Sequence, residues 1–208
     1  MSDLPDQQQI IEQLTAQREE ALAEYFAACQ QRLKRIVNFR LDYRLGGRVS
    51  ESDVLQDTYV RAAKRIDSYL DKPSMPFFVW LRLELNQRMI ELHRHHFGAD
   101  RRDVRREVSG YRHDNDATSM AIAAHIVAGL TSASQLIERA EQIAAVEKSL
   151  EQMQDLDREV IALRHFEELT NIETAEVLGI TPGAASKRYL RALKRLREIF
   201  EFARQQKN

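Results

Sequence analysis

Apolar residues recur along this chain at intervals of three and four, the spacing that lines one face of an α-helix. From Leu22 they fall at Tyr25, Phe26, Cys29, Leu33, Ile36, Val37 and Leu41, and Gly46-Gly47 stops the run. The spacing predicts one long amphipathic helix. Ser50 with Asp53 three residues on has the form of a capping box, and Val54, Leu55, Thr58, Tyr59, Ala62, Ile66 and Tyr69 carry the period toward Pro73 as a second helix. Pro76 is placed to open a third. Its buried positions would be Phe77, Trp80, Leu81, Leu85, Met89 and Leu92, with His93, Arg94, His95 and His96 at its dipole-favoured end before Gly98.

Beyond Gly98 the period fails. Residues 99–118 are polar and charged with no apolar stripe, as in a linker between packed units. Regular spacing returns with Leu136, Ala140, Ile143, Val146, Leu150 and Met153, then with Leu156, Val160, Leu163 and Phe166. Thr170 and Glu173 make a second capping box for a short helix that Gly179 ends, and Thr181 with Pro182 opens the last helix. A short helix, a glycine turn and a basic helix, with small Ala175 and Ala185 where two helices cross, have the form of a helix-turn-helix. The last helix would keep Ala185, Tyr189, Leu193, Leu196 and Phe200 for the core and turn Lys187, Arg188, Arg191 and Lys194 outward. The expectation is an all-α protein: two small helical domains, 1–98 and 131–208, joined by a flexible linker at 99–130, with the helix-turn-helix in the C-terminal one.

Composition narrows the class. Of 208 residues, 43% are hydrophobic and 30% charged, with 7 Gly and 4 Pro, a balance that suits a helical globular protein rather than a turn-rich β one. The single Cys29 excludes an intrachain disulfide and reads as a small buried hydrophobe. The longest apolar run, Phe77 to Leu81, is far below the ~20 residues of a membrane span, and the N-terminus lacks a signal-peptide core. The expected location is cytoplasmic, without a membrane partner. His93, His95, His96 and His113 have no acid or Cys at ligand spacing, so no metal is expected. No Gly-rich phosphate loop and no set of nucleophile, base and orienting group is present, so no cofactor, small-molecule substrate or enzymatic activity is expected.

The net charge of −1 hides an asymmetry. Residues 1–30 hold six acids against Arg18, whereas residues 182–197 hold six cations and no acid. The basic helix suits a polyanion; taken alone it also reads as a solvated surface.

These residues carry a family resemblance. The run DREVIALRHFEELTNIETAEVLGITPGAASKRYLRALKRLRE (157–198) resembles the fourth conserved region of bacterial RNA polymerase sigma factors. SESDVLQDTYVRAAKRIDSY (50–69) and PFFVWLRLELNQRMIELHRHH (76–96) resemble the second, in the two-domain order of the extracytoplasmic-function group. The resemblance implies a sigma factor that binds core RNA polymerase at its β′ clamp and β flap and directs promoter recognition, melting and initiation. The first domain would serve the clamp and the minus-ten element, the second the minus-thirty-five element. By that resemblance Asp53, Gln56 and Asp57 would contact the clamp; alone they read as a solvated polar face. Gln87, Arg88, Glu91, Arg94 and His95 would meet the opened minus-ten strand, Gln87 and Glu91 at a base edge and Arg88 and Arg94 at phosphate. Thr181, Lys187, Arg188, Arg191 and Lys194 would contact the minus-thirty-five element.

Two departures separate this chain from the family pattern. Gln87 stands where many members have Asn, and Ala184 and Ser186 replace longer residues beside the matching Arg188. Trp80 lies on the apolar stripe and reads as core rather than as a base-stacking platform. The acidic residues 1–15 lie outside the resemblance; they, or an anti-sigma factor, would supply inhibition of the free chain. The alternative is a helix-turn-helix regulator that does not join polymerase, and a metal-dependent hydrolase using the histidines is a third class without a supporting residue set.

Overall fold

The structure, a computed structural model, describes residues 6–41, 49–97, 115–128 and 136–205. Every regular element among them is helical. The chain divides into two compact units, Met1–Arg102 and Asp103–Asn208.

The first unit contains α1 (Gln7–Ala16), α2 (Arg18–Arg40), α3 (Glu51–Asp71) and α4 (Phe77–Phe97). The apolar period of α2, α3 and α4 becomes their shared core, in which Cys29, Leu33, Val54, Ala62, Leu81 and Leu85 are fully enclosed. Phe77, 1% exposed, lies edge-on or tilted to the rings of Tyr25, Tyr69 and Trp80 at 5.9, 5.8 and 5.6 Å. Trp80 stacks on Tyr69 at 4.8 Å, which makes it a core residue. The first half of α4 is buried almost all round, so Phe78, Val79, Arg82, Glu84 and Asn86 join the core beyond the stripe the spacing marks.

Helix α1 is an addition to the predicted elements. Only Ile10 and Leu14 are buried in its ten residues, too few for a visible stripe. Its anchor is polar. Gln7 donates from Nε2 to the Tyr69 hydroxyl and the Met75 carbonyl, and its Oε1 accepts the Phe77 N–H at 2.9 Å. That amide is one of the unpaired donors at the start of α4, so residue 7 completes a cap some seventy positions away.

The second unit contains α5 (Asn115–Ala128), α6 (Leu136–Leu150), α7 (Asp155–Ile161), a π turn (Ala162–Phe166), α8 (Asn171–Leu178) and α9 (Pro182–Gln205). Helix α5 corrects the expected linker at 99–130, whose residues 115–128 are helical and packed on α6 and α7. The buried residues described on α5 are Thr118, Ser119, Ile122 and Ala123, mostly small or hydroxylated, so the contact face does not register as an apolar stripe. The rest of that stretch, and Gly46, Gly47, Gly98 and His113, lies outside the described residues. Arg158, 5% exposed, donates from Nη1 to the Leu150 and Met153 carbonyls at 2.9 Å each and so closes the end of α6.

Both capping boxes form. Ser50 Oγ accepts the Asp53 N–H at 3.1 Å while Asp53 accepts the Ser50 N–H, and Thr170 and Glu173 do the same at 3.2 and 2.8 Å. Gly179 ends α8 at φ 63°, where no Cβ contact lies within 4 Å, so its glycine is needed for the left-handed backbone alone. Gly179→Ala is expected to lower the stability of the second unit by about 1 kcal/mol, read as a lower thermal midpoint in circular dichroism.

Candidate nucleic-acid interface

In the first unit the capping box fixes where α3 begins and which way its first turn faces. Asp53, Gln56 and Asp57 are all exposed. The hydrogen bonds from the Ser50 side chain and backbone hold the Asp53 carboxyl below its usual range. A depressed folded value stabilises above the unfolded value, so this cap fades as pH falls through the lowered one. The three side chains do not share one groove. Gln56 lines a shallow one with Phe26, Gln30, Ser52, Leu55 and Tyr59. Asp53 and Asp57 line an open cleft of about 460 Å³ whose other wall, on α4, carries Arg88, Glu91, Leu92 and His95.

The structure therefore brings clamp-contact candidates and promoter-contact candidates into one cleft. Arg88 reaches across to Asp57 with Nε at 2.8 Å and Nη2 at 2.6 Å, while its Nη1 lies 3.8 Å from Glu91. Glu91 also accepts from Arg61 Nη1 at 2.8 Å and from Gln87 Nε2 at 3.4 Å. Glu84, with a side chain 7% exposed, takes Arg61 at 2.6 Å and Arg65 at 3.0 Å. Gln87, Arg88 and Glu91 are thus members of an ion-pair network between α3 and α4. Arg94 and His95 are exposed in the last turns of α4.

Sequence reasoning missed Arg61 and Glu84. The available signal was an acid within the buried run of α4, since a carboxylate there requires cationic partners. Its partners, 19 and 23 positions away on α3, become visible only in the fold.

In the second unit α8, the Gly179 turn and α9 form the helix-turn-helix. Thr181 Oγ1 accepts the Ala184 N–H at 3.3 Å, so Thr181 caps α9. Asn171, at the start of α8, donates to the Pro182 carbonyl at 2.9 Å and accepts from the Ser186 hydroxyl at 3.0 Å, tying the two helices together. Ala185 and Ala192, both fully buried, let α9 approach α8 and α7 closely.

Lys187, Arg191 and Lys194 are exposed along one side of α9, spaced by four and three, and no ion-pair partner holds any of them among the described residues. Arg188 differs from the outward position predicted for it. Its Nη1 donates to Asp157 Oδ1 of α7 at 2.7 Å, with side-chain exposures of 22% and 18%. Leu190 and Ile172 stand exposed at 67% and 66%. No group of three or more His, Cys, Asp or Glu is arranged to hold a metal among the described residues, and no described helix is long and apolar enough to cross a membrane.

A two-unit helical chain with a basic helix-turn-helix at its C-terminal end defines a DNA-binding class, and comparison with known proteins narrows it. Residues 143–196 match the family model for sigma-70, region 4. The chain is 27% identical over 165 residues, 77% of its length and 81% of the relative's, to the ECF RNA polymerase sigma factor SigW of Bacillus subtilis (strain 168). In fold it is similar to the solved structure of CnrH in complex with the cytosolic domain of CnrY, with a TM-score of 0.51 at 22% identity over 94% of this chain and 97% of that one. Residues 143–196 thus carry a sigma-70 region 4 segment, and the chain is similar over most of its length to a sigma factor of the extracytoplasmic-function type.

Proposed function

We propose that the chain joins bacterial core RNA polymerase and directs promoter recognition, melting and transcription initiation, without catalysis of its own. The exposed cation stripe of Lys187, Arg191 and Lys194 on a capped helix-turn-helix, inside the segment matching sigma-70 region 4, carries this reading. The second unit meets the minus-thirty-five element and the β flap. In the first, Asp53, Gln56 and Asp57 meet the β′ clamp, and Gln87, Arg94 and His95 the opened minus-ten strand. Arg88 and Glu91 act there only after the network with Asp57 and Arg61 rearranges. Asp57 is 47% exposed on its side chain, so water can replace the guanidinium at modest cost.

Melting proceeds by capture of unpaired bases, since the sequence holds no nucleotide-hydrolysis motif. The chain acts in the cytoplasm, and an anti-sigma factor is its natural regulator; the similar fold of CnrH was solved in complex with a protein domain, the cytosolic domain of CnrY. The test is transcription in vitro with core polymerase lacking any other sigma factor, on a pool of promoters from the source genome. Specific initiation is expected. DNA binding without core binding or initiation would instead mark a regulator outside the polymerase.

A further inference from the structure

The guanidinium of Arg188 is anchored by a single donor. Nη1 reaches Asp157 Oδ1 at 2.7 Å, and no other described group engages the side chain. An arginine carries five N–H groups in a rigid fork, so the edge formed by Nε and Nη2 stays available while Nη1 is held. Arg88 in the first unit is arranged in the opposite way: Nε and Nη2 both rest on Asp57, and Nη1 faces Glu91.

The two carboxylates also differ in solvation. The Asp57 side chain is 47% exposed and can part from its arginine into water, whereas that of Asp157 is 18% exposed. Separating the second pair would strand a largely buried charge. That cost favours keeping the Asp157–Arg188 pair intact when a ligand meets α9, which leaves the uncovered edge of the guanidinium for contact. The neighbourhood is held from two further sides. Asn171 ties Pro182 and Ser186 to α8, and Arg164 donates to the Leu169 carbonyl at 2.6 Å with its guanidinium 5.4 Å from the Tyr189 ring.

We propose that Asp157 is a positioning residue for promoter reading: it fixes Arg188 by one N–H and aims the Nε and Nη2 edge at a pair of acceptor atoms on a base in the major groove. This rests on the reading of α9 as the DNA-contacting helix. A guanidinium aimed in advance gains discrimination because it is not reordered on binding. Lys187, Arg191 and Lys194 supply phosphate attraction without regard to sequence. Lysine cannot substitute at 188, because one ammonium cannot hold the carboxylate and bridge two acceptors in a plane.

The test uses the full chain joined to bacterial core polymerase. Duplexes are selected from a random pool by the wild-type complex, and retention of selected against scrambled duplex is compared across variants. Asp157→Ala and Arg188→Ala are each expected to lower that ratio about tenfold, and the double variant no further than Arg188→Ala alone. Asp157→Asn keeps an acceptor at the same place and is expected to restore most of the ratio. Arg188→Lys is expected to resemble Arg188→Ala. Tighter retention of the selected duplex by Asp157→Ala would overturn the proposal, showing that the carboxylate masks Arg188. Equal loss on both duplexes would also overturn it, showing that Asp157 only supports the fold. Failure of the DNA reading itself has a different signature: the wild-type complex enriches no sequence, and Lys187→Ala and Arg191→Ala change nothing on either duplex.

Discussion

Replacing Lys187, Arg191 and Lys194 together by alanine is expected to weaken retention of promoter DNA by the polymerase complex about 10²- to 10³-fold and to flatten its salt dependence by about three units of slope. Each phosphate contact releases about 0.9 of a counterion and contributes on the order of 1 kcal/mol near physiological salt. All three side chains are exposed, and none is held by an ion pair among the described residues, so removing them leaves no stranded partner. The fold is expected to stay within about 0.5 kcal/mol per site. A titration across a salt series separates this loss from loss of base reading. If the slope is unchanged, α9 does not lie along the DNA backbone. Arg188 stays out of this variant because its guanidinium belongs to α7 as much as to the exposed stripe.

That difference among four neighbouring cations shows where sequence reading reaches its limit. Lys187, Arg188, Arg191 and Lys194 follow from the helical period as one outward group, and a 3.6-residue period cannot separate the face from its flank. Asp157 lies 31 residues away, and the spacing from Asp57 to Arg88 is the same. In each case the pairing depends on which helices pack together and at what rotation.

What was legible rested on local chemistry. Ser50 with Asp53, Thr170 with Glu173, and Gly179 each state a helix boundary within four residues, and all three appear in the fold. What was hidden either lacked an apolar signal or had it spread all round the helix. Helix α5 buries one large apolar side chain, Ile122, among Thr118, Ser119 and Ala123, α1 adds the polar anchor of Gln7 to only Ile10 and Leu14, and α4 buries Arg82 and Glu84 beside Leu81 and Leu85. The π turn at 162–166 has no mark in the sequence. It places Glu167 N–H on the Ala162 carbonyl at 2.9 Å and is followed by Glu168 at φ 54°.

Phe77→Ala is expected to destabilise the first unit by about 3–5 kcal/mol, a large share of the stability of a domain this size. The ring is 1% exposed and meets three other aromatic rings within 6 Å, so its removal leaves a cavity that those rigid groups cannot close. Its backbone N–H stays bonded to Gln7, which isolates the effect of the side chain. By contrast Arg18→Ala, which breaks an ion pair to Asp67 with side chains 48% and 67% exposed, is expected to change stability by less than about 1 kcal/mol. Hydrogen exchange followed by peptide resolves where the loss falls. Protection should drop throughout α1–α4 of Phe77→Ala and hold in α5–α9, because the chain divides into two compact units. A drop confined to the first turn of α4 would remove the ring from the centre of the core. Asp53, Gln56, Asp57 and Arg88 all ride on α3 and α4, whose packing surrounds this ring. Polymerase binding should therefore fail in Phe77→Ala while the cations of α9 still attract DNA at low salt, so the same variant assigns the two proposed contacts to different units.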